Sequence, residues 1–337
     1  MKETYSRSKS VWQRMNARER KAAMAYGEKY KAFLDMARTE RLAAAEIIRR
    51  AEEKGFKPVY TMKSLKAGDK VYWNQKDKSV ILAVIGKEPV HEGIKIVGSH
   101  IDSPRLDLKA NPVHEQDGIV YFRTHYYGGI KKYQWTCIPL ALIGVVFTKD
   151  GKKVDINIGL KDSDPVFYVS DLLIHMAQDQ MKKTLAEGIT GEQLQAVAGT
   201  HSEEGQTPKD AIMALLKKEY GIEEEDFAAA ELELVPATKS RDVGFDRSLI
   251  ASYGQDDRVC SYANLEAILD AKPGVKTQAA LLTDKEEIGS YGNTGMESSY
   301  FVKFVMKLLA LQGQGSLLDF YETCLLYTSD AADDKAR

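Results

Sequence analysis

Two short segments, SVILAVIG (79–86) and IKIVGSH (94–100), constrain the fold of this chain more than any other feature. Both are apolar and rich in β-branched residues, as expected of strands that are covered on both faces. They follow a segment, 33–55, in which apolar residues recur with a helical period and which ends at Gly55. The pattern predicts helices packed against a buried sheet, and therefore an α/β fold.

The middle of the chain has a different pattern. Between about 106 and 245, short strand-like segments are separated by turn residues, and the segments 169–188 and 207–221 are predicted to be helices. The α/β pattern returns near residue 250, with a predicted strand at 277–284. We therefore predict a discontinuous α/β domain, formed by 1–105 and 246–323, that is interrupted by an inserted, mostly β domain at 106–245.

Charge and cysteine content exclude several classes of protein. Lys and Arg number 47 against 49 Asp and Glu, so no global field attracts nucleic acid or an anionic membrane, and the basic segment KDGKK (149–153) is interpreted as a hairpin turn. No apolar run reaches the roughly 20 residues of a membrane-spanning helix. The three cysteines, Cys137, Cys260 and Cys324, are odd in number and far apart, which favours a reducing cytoplasm over a disulfide framework.

The first motif that suggests chemistry is VGSHIDSPRLD. His100 and Asp102 stand at the carboxyl end of a predicted strand, which is where α/β folds place their binding sites. An imidazole is a zinc ligand, and a carboxylate two residues later can orient it. By itself the pair is weak evidence, because a histidine near a strand end is more often structural than a metal ligand.

Two further motifs contain paired acids. Asp256 and Asp257 open a predicted helix, where they would serve as a helix cap or bridge two metal ions. Glu286 and Glu287 follow the strand 277–284, where they would form a solvated turn or divide metal binding and proton transfer between them. The order H-x-D, D-D, E-E is that of the co-catalytic di-zinc exopeptidases.

The chain resembles the aspartyl aminopeptidase family, most nearly its bacterial members, from the N-terminal helix to about residue 323. Four separated segments carry the resemblance, namely VGSHIDSPRLDLK, YYGGIKKYQWTCIPLALIGVV, SYGQDDRVC and TDKEEIGSYG. The resemblance implies a zinc exopeptidase-like three-layer α/β/α domain interrupted by a mostly β oligomerisation domain. It also implies two Zn²⁺ ions per active site, with Co²⁺ or Mn²⁺ as substitutes.

The same resemblance implies a role for each motif residue. His100 and Glu287 match zinc ligands, Asp257 matches the aspartate that bridges the metals, Asp102 matches the carboxylate behind the histidine, and Glu286 matches the general base. The implied activity is hydrolysis of the N-terminal, in some members acidic, residue of short peptides by an activated water. The alternative is a non-catalytic peptide-binding or assembly protein on the same scaffold.

Family members assemble into large homo-oligomers in which the inserted domain approaches a neighbour's active site. His175, in SDLLIHMAQ, is the candidate for that contribution, although a helix-surface or core role is also compatible with its sequence context. Arg105, Lys109 and Arg123 are candidates, by charge alone, for binding a substrate carboxylate. Neither nucleic acid nor a membrane is expected as a partner.

The last residues, 324–337, are interpreted as a non-native tail. The string CLLYTSDAAD resembles a translated sequencing adapter, although a frayed terminus is the ordinary alternative. The family completes its metal site with a further carboxylate and a histidine near the C-terminus, whereas no histidine follows His201 here and a match to Asp330 would be accidental. These observations predict a C-terminally truncated chain with weak or no activity.

Overall fold

The structure, a computed structural model, describes residues 10–323 and 325–328. The strands are β1 (Lys57–Pro58), β2 (Lys70–Gln75), β3 (Ser79–Val84), β4 (Ile94–His100), β5 (Arg105–Gln116), β6 (Ile119–Tyr127), β7 (Pro139–Phe147), β8 (Lys153–Ile158), β9 (Phe167–Tyr168), β10 (Ala196–Gly199), β11 (Ala230–Pro236), β12 (Arg241–Val243), β13 (Leu249–Ala251), β14 (Thr277–Thr283) and β15 (Leu325–Thr328). The helices are α1 (Val11–Arg14), α2 (Ala17–Met36), α3 (Glu40–Glu53), α4 (Leu185–Gly188), α5 (Pro208–Tyr220), α6 (Gln255–Leu269), α7 (Tyr300–Gln312) and α8 (Leu317–Thr323).

The first sheet has the order β1-β2-β3-β14-β4-β15, and β14 lies parallel to β4. All six residues of β3 are buried, because alternate side chains enter two different cores. Val80 and Leu82 pack with α2, α3 and α6, whereas Ile81 and Ala83 pack with α7 and Phe320 of α8. The predicted three-layer α/β/α arrangement is therefore confirmed.

The second sheet has the order β11-β5-β6-β10-β9-β7-β8, and β11 also pairs with β7. Because β11 contacts both β5 and β7, the sheet curves back on itself around a core that includes Phe122, Leu142 and Leu234. All of its strands lie between Arg105 and Pro236, which agrees with an inserted, mostly β unit. The domain limits at 106 and 245 remain predictions.

The two helices predicted within the insertion have different outcomes. Helix α5 is confirmed: it begins at Thr207, which forms a reciprocal cap with Asp210, and it ends at Gly221 in the left-handed region. The helix predicted at 169–188 is wrong, since this segment forms successive turns and only the four residues of α4 are helical. Although Val169 and Ala177 are buried, most of its larger apolar side chains, among them Leu173 and Met176, are exposed, so no continuous buried face stabilises a helix.

The C-terminal part of the described chain adds strand β15, which pairs in parallel with β4 from Leu325↔Lys95 to Thr328↔Gly98. Cys324 and residues 329–337, with Asp330, lie outside the described residues, and the tail interpretation remains a prediction. Among the residues that the structure describes, no helix is long and apolar enough to cross a membrane.

Candidate active site

The three motifs that contain acidic or imidazole side chains meet at the end of the first sheet where β4 and β14 have their carboxyl ends. The parallel register pairs His100, the last residue of β4, with Thr283, the last residue of β14. The carboxyl ends of the two strands therefore lie side by side, and the segments that follow them start from the same edge. Helix α6 contributes the third motif, because Asp256 and Asp257 lie in its first turn and α6 packs on β4.

His100 is almost completely buried, and contacts between its Nδ1 atom and Asp102 orient its ring. Its Nδ1 atom lies 3.0 Å from the backbone oxygen of Asp102 and 3.3 Å from Asp102 Oδ1. Its Nε2 atom lies 3.5 Å from Asp256 Oδ1 and 3.6 Å from Glu286 Oε2. Burial lowers the pKa of His100, but the hydrogen bond that its ring donates to Asp102 and the surrounding carboxylate charges raise it to about 10.

Asp102 is fully buried and accepts hydrogen bonds from several elements. Tyr127 Oη donates to Asp102 Oδ2 at 2.7 Å, and the backbone N–H groups of Glu286 and Glu287 donate to its two oxygens at 3.3 and 3.2 Å. Burial raises the pKa of Asp102, but the hydrogen bonds from His100 and Tyr127 outweigh it, so that the net shift is downward. Asp102 therefore remains a carboxylate that links β4, β6 and the 286–287 turn.

The two aspartates of α6 have different environments. Asp257 is buried, and its Oδ2 atom accepts the backbone N–H of His100 at 3.4 Å. Asp256 has a side chain that is 70% exposed and faces His100 Nε2. Gly254, which precedes them, has φ +72°, and a side chain there would collide with Arg258, so the turn that presents both acids requires glycine.

Glu286 and Glu287 belong to a tight turn directly after β14. Lys285 before them and Gly289 after them both have left-handed backbone conformations, at φ +76° and +86°. Burial, with the charge of Asp102, raises the pKa of Glu287 to about 8, whereas the His100 charge opposes this shift.

The chemistry of these side chains fits zinc. Two ligands on one tetrahedral zinc ion lie about 3.3 Å apart, close to the two separations measured from His100 Nε2 to Asp256 and Glu286. Because Nδ1 faces Asp102, Nε2 points towards the carboxylates, which is the usual orientation of a ligating histidine. Among the described residues, no group of three or more such side chains is already arranged to hold a metal ion.

A buried cluster of charged side chains lies next to the site. Of its members, only Arg105 was a candidate from the sequence. Arg105 Nη1 is 3.4 Å from Glu40 Oε2, and its Nε is 3.4 Å from Glu233 Oε2 and 2.8 Å from Asp107 Oδ1. Burial opposes ionisation of Glu40, but Arg105 and Lys78 lower its pKa, whereas burial raises the pKa of Glu233. Arg105 is therefore shared by two acids whose pKa values shift in opposite directions.

The three basic residues predicted to bind a substrate carboxylate are each engaged in other contacts. Arg105 belongs to the buried cluster, Lys109 pairs with Glu192 at 2.9 Å, and Arg123 contacts His114 at 2.9 Å. A cleft of about 410 Å³ does open beside Asp256, lined by residues of the 129–135 loop and of 253–256. Within the described part of the chain, the exposed His175 forms no hydrogen bond or ion pair with the site.

Comparison with known proteins connects this geometry to one family. The profile of the family described as aminopeptidase I zinc metalloprotease (M18) matches residues 33–332. A probable M18 family aminopeptidase 1 of Clostridium acetobutylicum is 46% identical over 313 residues, which is 90% of this chain and 67% of the relative.

Solved structures show the same relationship. An M18 aminopeptidase from Thermotoga maritima has a TM-score of 0.91 at 40% identity, covering 96% of this chain and 72% of its own. Aminopeptidase I of Borrelia burgdorferi has a TM-score of 0.83 at 36% identity, covering 96% and 75%. The more distant mApe1 of S. cerevisiae, solved as a dodecamer, shares the fold at 17% identity and a TM-score of 0.69, covering 89% of this chain and 70% of its own.

Proposed function

Because the chain belongs to the M18 family of zinc aminopeptidases, we propose that the carboxylate site at the ends of β4 and β14 removes the N-terminal residue of short peptides. The observation that carries the proposal is the convergence of His100 Nε2 with the carboxylates of α6 and of the 286–287 turn. The family match supports the aminopeptidase over the non-catalytic alternative.

The residue roles are proposed from the resemblance to the family. We assign His100, Asp257 and Glu287 as ligands of a centre for two zinc ions, with Co²⁺ or Mn²⁺ able to substitute. Asp102 lies against the His100 ring and is proposed to orient it, and Asp257, which accepts the backbone N–H of His100, is proposed to bridge the two ions. Asp256, which the sequence left aside, is a further candidate ligand because its carboxylate faces Nε2.

Glu286 is the proposed general base. Its carboxylate reaches the centre but is 25% exposed, so it also faces the space from which water and peptide enter. In this position it takes a proton from the attacking water and passes it to the leaving amine. When bound, zinc supplies a Lewis acid for the scissile carbonyl oxygen and for the water. The cluster of carboxylates attracts the free α-ammonium group, which favours exopeptidase action.

The function is tested with matched peptides. We expect the chain, with zinc added, to release single residues slowly from a short peptide with a free N-terminus, in line with the weak activity predicted from the sequence, and to leave the N-acetylated peptide intact. Treatment with a chelator is expected to remove at least nine tenths of the turnover, and zinc to restore it. Mass spectrometry of the products gives the result. Cleavage of the acetylated peptide, or chelator-resistant turnover, would contradict the proposal.

We also propose that the exposed segment 172–185 contacts a second copy of the chain. Four of its apolar side chains, Leu173, Ile174, Met176 and Leu185, are 62–72% exposed, which is unusual for a surface that faces water. The dodecamer seen for the distant relative is compatible with this role. His175 lies within the segment, so this contact would carry it to a neighbouring subunit, where we place it beside the active site.

Replacing Leu173 and Ile174 by Ser is expected to shift the chain from a large assembly towards smaller species. Light scattering coupled to size-exclusion chromatography measures this change, and Leu215→Ser, at an exposed position of α5, is the matched control. An unchanged assembly in the double variant would show that segment 172–185 is not at the interface.

A further inference from the structure

A side chain of the inserted sheet reaches the catalytic site of the same chain. Tyr127 is the last residue of β6, in the second sheet, and its hydroxyl donates to Asp102 Oδ2 at 2.7 Å. Tyr127 is 6% exposed and Asp102 is fully buried, so water does not compete for this hydrogen bond. The bond is therefore a direct link between the insertion and the site.

Tyr127 makes the shortest of the contacts that surround the Asp102 carboxylate. The other contacts come from the His100 ring and from the backbone N–H groups of Glu286 and Glu287, at 3.2–3.3 Å. Those groups belong to β4 and to the turn after β14, within the catalytic layer. An O–H···O⁻ bond to a buried carboxylate is stronger than a neutral hydrogen bond, so Tyr127 contributes strongly to fixing the orientation of Asp102.

The tyrosine is itself held in place. Arg105 is its directly opposite partner in the antiparallel pairing of β5 and β6, and the guanidinium carbon lies 3.7 Å from the centre of the ring. Lys285 Nζ lies 5.2 Å from the same ring centre. Because Arg105 is fixed by the buried cluster of Glu40 and Glu233, the ring has little freedom to move.

The residue after Tyr127 also approaches the catalytic turn closely. Gly128 has φ +72°, and a Cβ atom there would lie 3.1 Å from Glu287 Oε2 and 3.2 Å from Glu287 Cβ. The end of β6 therefore contacts the site at two successive positions, once by a hydrogen bond and once by backbone packing.

Resting on the proposed zinc centre, we propose that Tyr127 is a positioning residue. Its hydroxyl holds the Asp102 carboxylate, which in turn orients the His100 ring and the 286–287 turn for metal binding. The inserted sheet thus sets the geometry of the metal ligands in addition to any role in assembly. Residues that orient metal ligands through hydrogen bonds change metal affinity or activity by about 10–100-fold when they are removed.

The test compares Tyr127→Phe with Tyr126→Phe in the 337-residue chain. Tyr126 is the neighbouring residue, is 39% exposed, and its ring stacks on His125, so its hydroxyl serves as the matched control. We expect Tyr127→Phe to lower zinc affinity by about 10-fold and kcat by a similar factor, with KM changed by less than about 3-fold. Tyr126→Phe is expected to change none of these values.

Two further measurements separate a positioning role from a structural one. Hydrogen exchange needs no metal: the amides of Glu286 and Glu287 are expected to exchange about 10-fold faster in Tyr127→Phe, because their acceptor is no longer fixed. In a double-mutant cycle, Tyr127→Phe is expected to have no further effect on zinc affinity once Asp102 is replaced by Ala.

The outcomes are distinguishable. Unchanged exchange at 286–287 or additive effects in the cycle would overturn the positioning role, even if zinc binds. If the unchanged chain binds no zinc, the proposed metal centre is wrong, and the exchange experiment alone then decides the role of Tyr127.

Discussion

Glu286→Gln is expected to lower kcat by about 10²–10⁴-fold relative to the unchanged chain, while zinc binding is retained. Glutamine has the size of glutamate but cannot accept a proton from water. Glu286 Oε2 lies 3.6 Å from His100 Nε2 and is partly open to solvent, so the substitution removes the base without opening a cavity. Peptide hydrolysis and zinc content measured on the same samples give the answer.

The control for this variant is Glu203→Gln, at an exposed position outside the regular elements. It makes the same chemical change at a distance from the catalytic turn, and we expect it to leave both kcat and zinc binding unchanged. Retention of turnover within about 3-fold in Glu286→Gln would reject the base assignment. Loss of zinc together with turnover would instead identify Glu286 as a ligand, with Glu287 then the candidate base.

Arg105→Met is expected to lower the free energy of unfolding by about 3–5 kcal/mol near pH 8. The methionine approximates the apolar stem of arginine, but the change removes the charge that Glu40 and Glu233 share. Lys78, whose Nζ is 3.2 Å from Glu40 Oε1, compensates only one of the two acids. A buried carboxylate without its partner is the origin of the large effect.

The pH dependence of this variant has a definite sign. Without Arg105 the pKa of Glu233 in the folded state, which burial already raises, moves further above its unfolded value, because the guanidinium charge that opposes burial is gone. The neutral acid then stabilises the fold at low pH, and this contribution is lost as the pH rises through the folded pKa. Urea unfolding at pH 5 and pH 8 is therefore expected to show a smaller deficit at pH 5.

Lys109→Met is the control for Arg105→Met, because it removes a partly exposed cation that pairs with the exposed Glu192. Its effect is expected to remain within about 0.5 kcal/mol at both pH values. A deficit below 1 kcal/mol in Arg105→Met at pH 8 would show that the two acids are neutralised without the arginine.

The layered architecture and the position of the site could be predicted because local composition determines both. Strand β3 is a continuous apolar run that is buried on both faces, whereas β4 alternates buried and exposed residues and lies parallel to β14, so that His100 and the 286–287 turn meet. The helix predicted at 169–188 failed for the opposite reason. Its apolar residues have a helical spacing, but the segment has no core to pack against within one chain.

The supporting residues could not be predicted, since they depend on register between distant strands. Arg105 attracts attention by its charge alone, yet it is enclosed by Glu40 of α3 and Glu233 of β11. Tyr127 is one aromatic residue in a tyrosine-rich strand, and only the pairing of β5 with β6 places it on Arg105 and beside Asp102. Local sequence contains no signal for such long-range contacts.

The parallel pairing of β4 with β14 also determines when the site can form during folding. His100 and Thr283 lie side by side in the sheet, although the whole insertion separates them in the chain. Closing so long a loop is slow, but each doubling of its length costs only about 0.6 kcal/mol in stability. We therefore expect His100 and the 286–287 turn to come together late in folding. Changes in insertion length should then alter the folding rate more than the stability of the sheet.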